Sequence, residues 1–375
     1  MSTVSVKVSK VEIVPHPNAD KLEIATIGGE GGFAAIVGKD QFKSGDLALF
    51  IPENSVVPEN IRIYLTTTQK IEVKEGRIRC TKIRGVFSDG LCLTPSAWLP
   101  PELIKEDQDV TEYLGVTKYE PPPPRGQSAF KSKGINHHYT NENFKKYTDI
   151  ESFKKYPRNF VEGEEVIATV KYHGTNFRCG YVKRPKKSYT RWEKVKSFFG
   201  FSVPNMESLV GSHNTIRQKS KRGTDINDTY WRVADKYDLR NITKELSDGV
   251  SEVTIFGEII GPGIQTGYDY GIPQGELELR VFDIMVDGEY LDWDKVVYTC
   301  MAHNLPTVSV AYRGPWSIAV TKLSEAVDEY NGKKFIREGI VIKPKRERKY
   351  PGCGRVILKY VSETFKLDKK NSEFH

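Results

Sequence analysis

Residues 166–182 constrain the fold more than any other stretch. Val166-Ile167-Ala168-Thr169-Val170 and Phe177-Arg178-Cys179-Gly180-Tyr181-Val182 are short, alternating runs rich in β-branched and aromatic side chains, and they read as two strands. Between them lies Lys171-Tyr172-His173-Gly174-Thr175-Asn176. A glycine at such a turn lets the backbone approach a bound ligand closely. The turn therefore presents the Lys171 amine at a strand end, beside a hydroxyl (Thr175) and an amide (Asn176) that can read ligand oxygens. A surface lysine ahead of a turn has the same local pattern, so the rest of the chain has to decide.

A chain of 375 residues predicts two or three domains. Its apolar fraction, 38%, suffices for packed cores. No apolar run approaches a membrane span, and the polar N-terminus lacks the apolar segment of a signal peptide. The expectation is a soluble intracellular protein, monomeric by default. The five cysteines (80, 92, 179, 300, 353) are scattered and form no CxxC pair, which predicts reduced thiols rather than a zinc site or a disulfide framework. The net charge of +7 is unevenly placed: Lys183 to Lys196 holds seven basic residues against one acid, Glu193, and Lys343 to Lys370 is also basic. Such patches suit a phosphate-rich partner, although a solvated surface has the same signature.

The first 100 residues or so read as a small β-barrel. Strands are predicted at Ser5–Ile13, Ala34–Val37, Leu47–Ile51 and Ile78–Arg84, separated by Gly- and Asn/Asp-rich turns. Pro121-Pro122-Pro123-Pro124 predicts a stiff, extended linker over 121–148. His137-His138 within it is read as exposed rather than metal-binding. Thr148-Asp149-Ile150-Glu151 carries a helix-start pattern that would end before Pro157. Further on, Arg184 to Ser208 reads as an insertion with a short amphipathic helix (Trp192, Val195, Phe198, Phe199). Asp225–Leu246 and Leu323–Tyr330 read as helices, and Val253–Ile260, Leu277–Val286, Gly339–Ile342 and Arg355–Val361 as strands. The resulting expectation is an α+β chain: a barrel over 1–120, the linker, and an antiparallel-sheet domain over 149–375.

Five short stretches recur in order. Lys171-Tyr172-His173-Gly174 is followed by Phe256-Gly257-Glu258, Phe282-Asp283, Glu338-Gly339-Ile340-Val341-Ile342-Lys343 and Leu358-Lys359-Tyr360. Together they resemble motifs I, III, IIIa, IV and V of the covalent nucleotidyltransferases, the polynucleotide ligases and mRNA capping enzymes. His173, where many members carry Asp, resembles an RNA-ligase version. Val14-Pro15-His16-Pro17-Asn18-Ala19-Asp20-Lys21-Leu22 resembles a signature of OB-fold tRNA-binding domains, and the same residues can serve simply to build a loop. With the OB-like part first and only sixteen residues after Lys359, the arrangement is similar to the ATP-dependent RNA ligases of the Naegleria and Deinococcus type.

The resemblance implies roles. Lys171 would attack the α-phosphorus of ATP and retain AMP. A free lysine, with pKa ~10.4, is neutral in roughly one molecule in 2,500 at pH 7, so activation is worth about 4 kcal/mol. Burial, Lys359 and a divalent cation would supply it. Lys359 would contact the α-phosphate. Glu258 and Glu338, with His173, would hold Mg²⁺ or Mn²⁺. Phe282 would stack on adenine, and Tyr172 and Asn176 would lie near the nucleotide. Arg217, with Arg191 as competitor, would contact phosphates. The usual second lysine of the last motif is absent, since Tyr360-Val361 follow Lys359; Lys343 or Lys345 is the candidate replacement. The implied outcome is sealing of RNA breaks with 3′-OH and 5′-PO4 ends. A capping-type guanylyltransferase and a non-catalytic tRNA- or RNA-binding protein remain as alternatives.

Overall fold

Lys7–Pro15 is the central strand of an N-terminal five-stranded sheet, ordered Phe33–Gly38, Leu22–Ile27, Lys7–Pro15, Leu47–Pro52, Gly90–Leu93. Every pairing is antiparallel. In the computed structural model, which describes residues 4–120, 139–199, 201, 203–217, 228–351 and 353–368, this sheet curls almost into a barrel. Ser88 and Asp89 close it: Ile36 N–H donates to Ser88 Oγ (3.0 Å), Ala34 N–H to Asp89 Oδ2 (3.0 Å), and Asp89 N–H to the Ala34 carbonyl (2.7 Å). Leu47–Pro52 is buried on both faces. Ala48 and Phe50 point into the barrel with Val11, Ala25 and Val37. Leu49 and Ile51 point outward beneath Ile61 and Leu65 of the helix Glu59–Thr67, an element that the strand-dominated reading of this region did not include.

The C-terminal domain is two antiparallel sheets facing each other. One runs Glu151–Ser152, Leu358–Val361, Gly339–Pro344, Glu165–Lys171, Val310–Pro315, with its first pairing parallel. The other runs Ile216–Arg217, Met206–Ser212, Thr175–Lys183, Val253–Ile260, Glu278–Val286, Glu289–Tyr290. The period-2 alternation of strands sorts their side chains. Ile340, Ile342 and Leu358 pack outward on Phe153, Phe160 and Trp316. Val341 and its cross-strand partner Lys359 face inward. The helices Thr229–Lys236, Leu239–Ser247 and Trp293–Ala302 cover the outer face of the larger sheet. Asp228 caps the first of them, its Oδ1 accepting from Tyr230 N (2.9 Å) and Trp231 N (3.1 Å).

Three expectations change. Residues 139–148, expected in the linker, pack on the larger sheet: the Phe144 ring lies 4.2 Å from the Arg178 guanidinium, and Tyr147 meets Phe282 and Tyr290 edge-on and Phe256 at a tilt. The helix expected after Thr148 is a two-residue strand, Glu151–Ser152, plus one 3₁₀ turn, because pairing with Leu358–Lys359 satisfies that backbone instead. Leu323–Tyr330 is not a helix. The 3₁₀ segment Ile318–Ser324 ends there, and Val327–Tyr330 pairs with Lys333–Ile336. His137-His138 lie outside the described residues. All five cysteines are free thiols, and no helix among the described residues is long and apolar enough to cross a membrane.

Candidate active site

Lys171 ends its strand opposite Gly339, and that pairing brings it against Glu338. The Lys171 ammonium donates to Glu338 Oε1, and Glu338 Oε2 lies 3.7 Å from His173 Nδ1. Burial pushes the Glu338 carboxyl up, but Lys171 and His173 outweigh it and hold the group below its ordinary value. Two glycines make this packing possible. A Cβ on Gly339 would fall 2.2 Å from the Tyr360 carbonyl, and one on Gly174 would fall 2.3 Å from the Ile259 carbonyl and 2.8 Å from Glu258 Cγ.

Lys359 sits two strands over from Lys171, across Gly339–Pro344, on the same inward face. Burial and the nearby Lys171 bring its amine down to about 8. A cavity of about 910 Å³ opens beside it, between the barrel and the strand Glu151–Ser152, with Lys7, Lys118 and Lys155 among its walls. On the facing sheet, Asn176 pairs with Glu258, and Glu258 with Arg280. These three side chains therefore share the face turned toward Lys171. Deeper between the sheets, Phe282 and Val341 pack against one apolar cluster with Tyr147, Phe256 and Ile357. The inner end is closed by an ion cluster. Asp283 accepts from Lys343 (2.5 Å), Arg355 (2.8 Å) and Tyr147 (2.5 Å), and Glu347 holds Arg355 (2.6 Å).

The structure thus gathers Lys171, His173, Glu338 and Lys359 on one side of the cleft and Asn176, Glu258 and Phe282 on the other. Lys343 is on the correct face, but four residues up its strand from Gly339, about 13 Å away, where Asp283 and Glu347 neutralise it. Lys345 is placed by its backbone, which pairs with Glu165. Tyr172 packs away from the cleft, its hydroxyl 2.9 Å from Ser309 Oγ. Arg217 pairs with Val210, and Val210 with Cys179, so it lies on the helix-covered face, 4.7 Å above the Tyr230 ring. Arg191 is exposed on the insertion helix Arg191–Phe198. Neither arginine is brought to Lys171. Arg178 and Arg280, which do face inward, were not singled out in the sequence; burial draws Arg178 down to about 10.

Also unanticipated is the loop that fastens the glycine turn. His173 N–H donates to Tyr270 Oη (2.7 Å), Gln265 Nε2 donates to the Gly174 carbonyl (2.8 Å), and the Tyr268 and Phe365 rings meet the His173 ring edge-on. Gln265, Tyr268 and Tyr270 sit in a Gly-rich stretch without periodicity, and Phe365 comes from the short helix Glu363–Leu367. The His16–Asn18 stretch braces its own loop. Asn18 N–H donates to His16 Nδ1 (3.1 Å), and Asn18 Nδ2 donates to the Arg84 carbonyl (2.9 Å).

Among the described residues, no three His, Cys, Asp or Glu side chains converge as a ready-made metal cluster. Two oxygens at the mouth are nonetheless buried without a hydrogen-bond partner, Glu338 Oε2 and Asn176 Oδ1. Such acceptors suit a hard, hydrated cation that keeps most of its waters.

Comparison with solved structures returns the same architecture end to end. Naegleria gruberi RNA ligase, as an apo mutant, superposes with a TM-score of 0.70 at 22% identity, covering 100% of this chain and 98% of that one. The same ligase with PPi gives 0.67 at 21%, covering 97% and 98%, and a mutant with ATP and Mn gives 0.66 at 21% over the same shares. An OB-fold domain model matches residues 3–95, the curled N-terminal sheet. The RNA ligase family model spans residues 164–361, more than half of the chain and the whole run from Lys171 to Lys359, and by that match this chain belongs to the RNA ligase family.

Proposed function

We propose that this protein is an ATP-dependent RNA ligase that works through a covalent lysyl-AMP. The observation that carries the reading is the Lys171–Glu338–Lys359 group on the inward face of one sheet, with Phe282 of the facing sheet and Val341 packed in one apolar cluster beside it. Adenine would enter between the Phe282 ring and Val341, which leaves the α-phosphate near Lys171 and Lys359.

In the first step the neutral Lys171 amine attacks the α-phosphorus. An N–P bond forms, the bond to the bridging oxygen breaks, pyrophosphate leaves with that electron pair, and the nitrogen gives up its surplus proton to solvent. The ion pair to Glu338 must be broken before the amine can attack. Lys359 stabilises charge on the α-phosphate oxygens, and the lysines lining the adjoining cavity can neutralise further phosphate charge. Glu338 and Glu258, with Asn176 at the same mouth, would hold the divalent cation, which supplies charge neutralisation when bound. His173 positions Glu338 from within its aromatic surround. Two further steps, AMP transfer to an RNA 5′-phosphate and attack by a 3′-hydroxyl with release of AMP, would complete sealing. Related structures carry ATP, AMP or PPi with or without Mn, which supports nucleotide and metal usage of this kind. We read the chain as a monomer, divided into an RNA-binding barrel (1–120), a linker and a catalytic domain, with the catalytic packing beginning by residue 139.

Incubation with α-labelled ATP and Mg²⁺ or Mn²⁺, followed by a denaturing gel, tests this reading. Wild type should acquire label and Lys171→Ala should acquire none. Label from GTP but not ATP would move the reading to a capping enzyme.

A further inference from the structure

The hairpin joining Thr175–Lys183 to Met206–Ser212 carries an insertion that the catalytic reading leaves unused. Its helix, Arg191–Phe198, buries none of its residues. It is nevertheless well formed: Thr190 Oγ1 accepts from Glu193 N (3.2 Å), and Thr190 N–H donates to Glu193 Oε2 (2.7 Å). Trp192 is 70% exposed, Phe198 85%, Phe199 68% and Phe201 66%. Leaving large aromatic faces in water is unfavourable, and several together mark an interaction surface.

Charge indicates the kind of partner. The one acid of this stretch, Glu193, is spent on the cap and on Arg184, whose Nη1 lies 2.9 Å away. Lys186, Lys187, Lys194 and Lys196 of the same insertion are exposed, with Lys187 3.1 Å from the exposed Glu142 carboxylate. At 100° per residue, Trp192, Val195, Phe198 and Phe199 span an arc of about 120°. Lys194 and Lys196 flank this arc, and Arg191 lies within it. A cation inside the apolar arc is costly against lipid, but it suits a partner that alternates flat bases with phosphates.

Resting on the ligase reading, we propose that the insertion is a second RNA-binding platform on which unpaired bases stack on Trp192, Phe198 and Phe201 while the lysines hold the phosphates. It springs from the far end of the strand Thr175–Lys183, about 26 Å along that strand from the glycine turn, so it grips RNA several nucleotides away from the break.

Trp192 reports directly, because Trp231, Trp293 and Trp316 are buried and Trp98 is largely covered. Titrating wild type with a single-stranded oligoribonucleotide should quench tryptophan emission, and Trp192→Phe should abolish most of that quench. Trp192→Ala/Phe198→Ala/Phe201→Ala should weaken RNA binding about tenfold or more, and Lys194→Glu/Lys196→Glu should weaken it and flatten its salt dependence. Unchanged affinity in both variants would overturn the proposal. A Trp192 response to phosphatidylserine-containing vesicles in place of RNA would overturn it in favour of a lipid surface. Lysyl-AMP formation, measured on the same preparations, should be equal in all of them. Its absence from wild type would remove the ligase reading, whereas the quench and affinity speak for the insertion alone.

Discussion

At the scale of the residue, Lys359 is held in conflict. Its amine is desolvated beside Lys171, and its proton leaves near pH 8 in the ATP-free enzyme. Because kcat/KM reports the free enzyme, adenylylation should show a falling limb above about pH 8 in kcat/KM, and bound nucleotide phosphates should shift or remove that limb in kcat. The consequence for stability has the opposite sign. Below pH 8 both folded and unfolded chains carry the proton. Between about 8 and 10.4 only the unfolded chain keeps it, so this group's contribution to stability rises with pH there. At pH 7 the charged Lys359 therefore costs stability. Lys359→Met should lose lysyl-AMP formation yet raise Tm by about 3 °C at pH 7, a gain that shrinks as the pH is taken toward 10. A lower Tm at pH 7 would show that Lys359 is not held against its solvation.

Among the elements, the two facing strands Gly339–Pro344 and Glu278–Val286 are joined at the closed end of the cleft by Asp283. Burial raises its carboxyl, but Lys343 and Arg355 outweigh that and leave it below the usual carboxylate range. Removing the carboxylate would leave the buried Lys343 and Arg355 to share Glu347 as their one remaining carboxylate among the described residues. Asp283→Ala should destabilise the protein by about 3–5 kcal/mol in urea unfolding. Lys343→Met should also lose stability while retaining lysyl-AMP formation in its folded fraction. Loss of label without loss of stability would instead return Lys343 to the phosphates. In sequence, Phe282-Asp283 and Lys343 look like parts of nucleotide motifs. Only the pairing of their strands shows that Asp283 and Lys343 are spent on each other.

Across the whole molecule, the barrel is docked by buried charges. Lys154 sits 2.7 Å from Asp89, and Lys366 pairs with Glu53. Burial lowers both ammonium groups, but the carboxylates prevail, and both lysines titrate above their ordinary range. Their stabilising contribution is fully present below about pH 10.4 and is lost as the pH rises through the raised values. Lys154 belongs to the segment following the strand Glu151–Ser152, which pairs with Leu358–Lys359, so the dock supports the strand that carries Lys359. Asp89→Asn with Glu53→Gln should loosen it by several kcal/mol, about 3–5 per pair broken. Calorimetry should then split one unfolding transition into two. A single unshifted transition would mean that the barrel is held by other contacts.

What the sequence by itself determined was local: the strand periods of both sheets, the insertion helix, the glycine turn behind Lys171, and the ordered set Lys171, Glu258, Phe282, Glu338 and Lys359. These are legible because alternation and glycine placement are properties of a few consecutive residues. The tertiary structure decided which faces meet. It turned Arg217 to the helix-covered side, consumed Lys343 against Asp283, replaced the helix at Glu151 with a strand, and supplied Tyr270 and Gln265 to the turn. The reason is register and burial. A side chain's face depends on the strand beside it, and a buried charge takes the partner that packing brings, neither of which is written in residues adjacent along the chain.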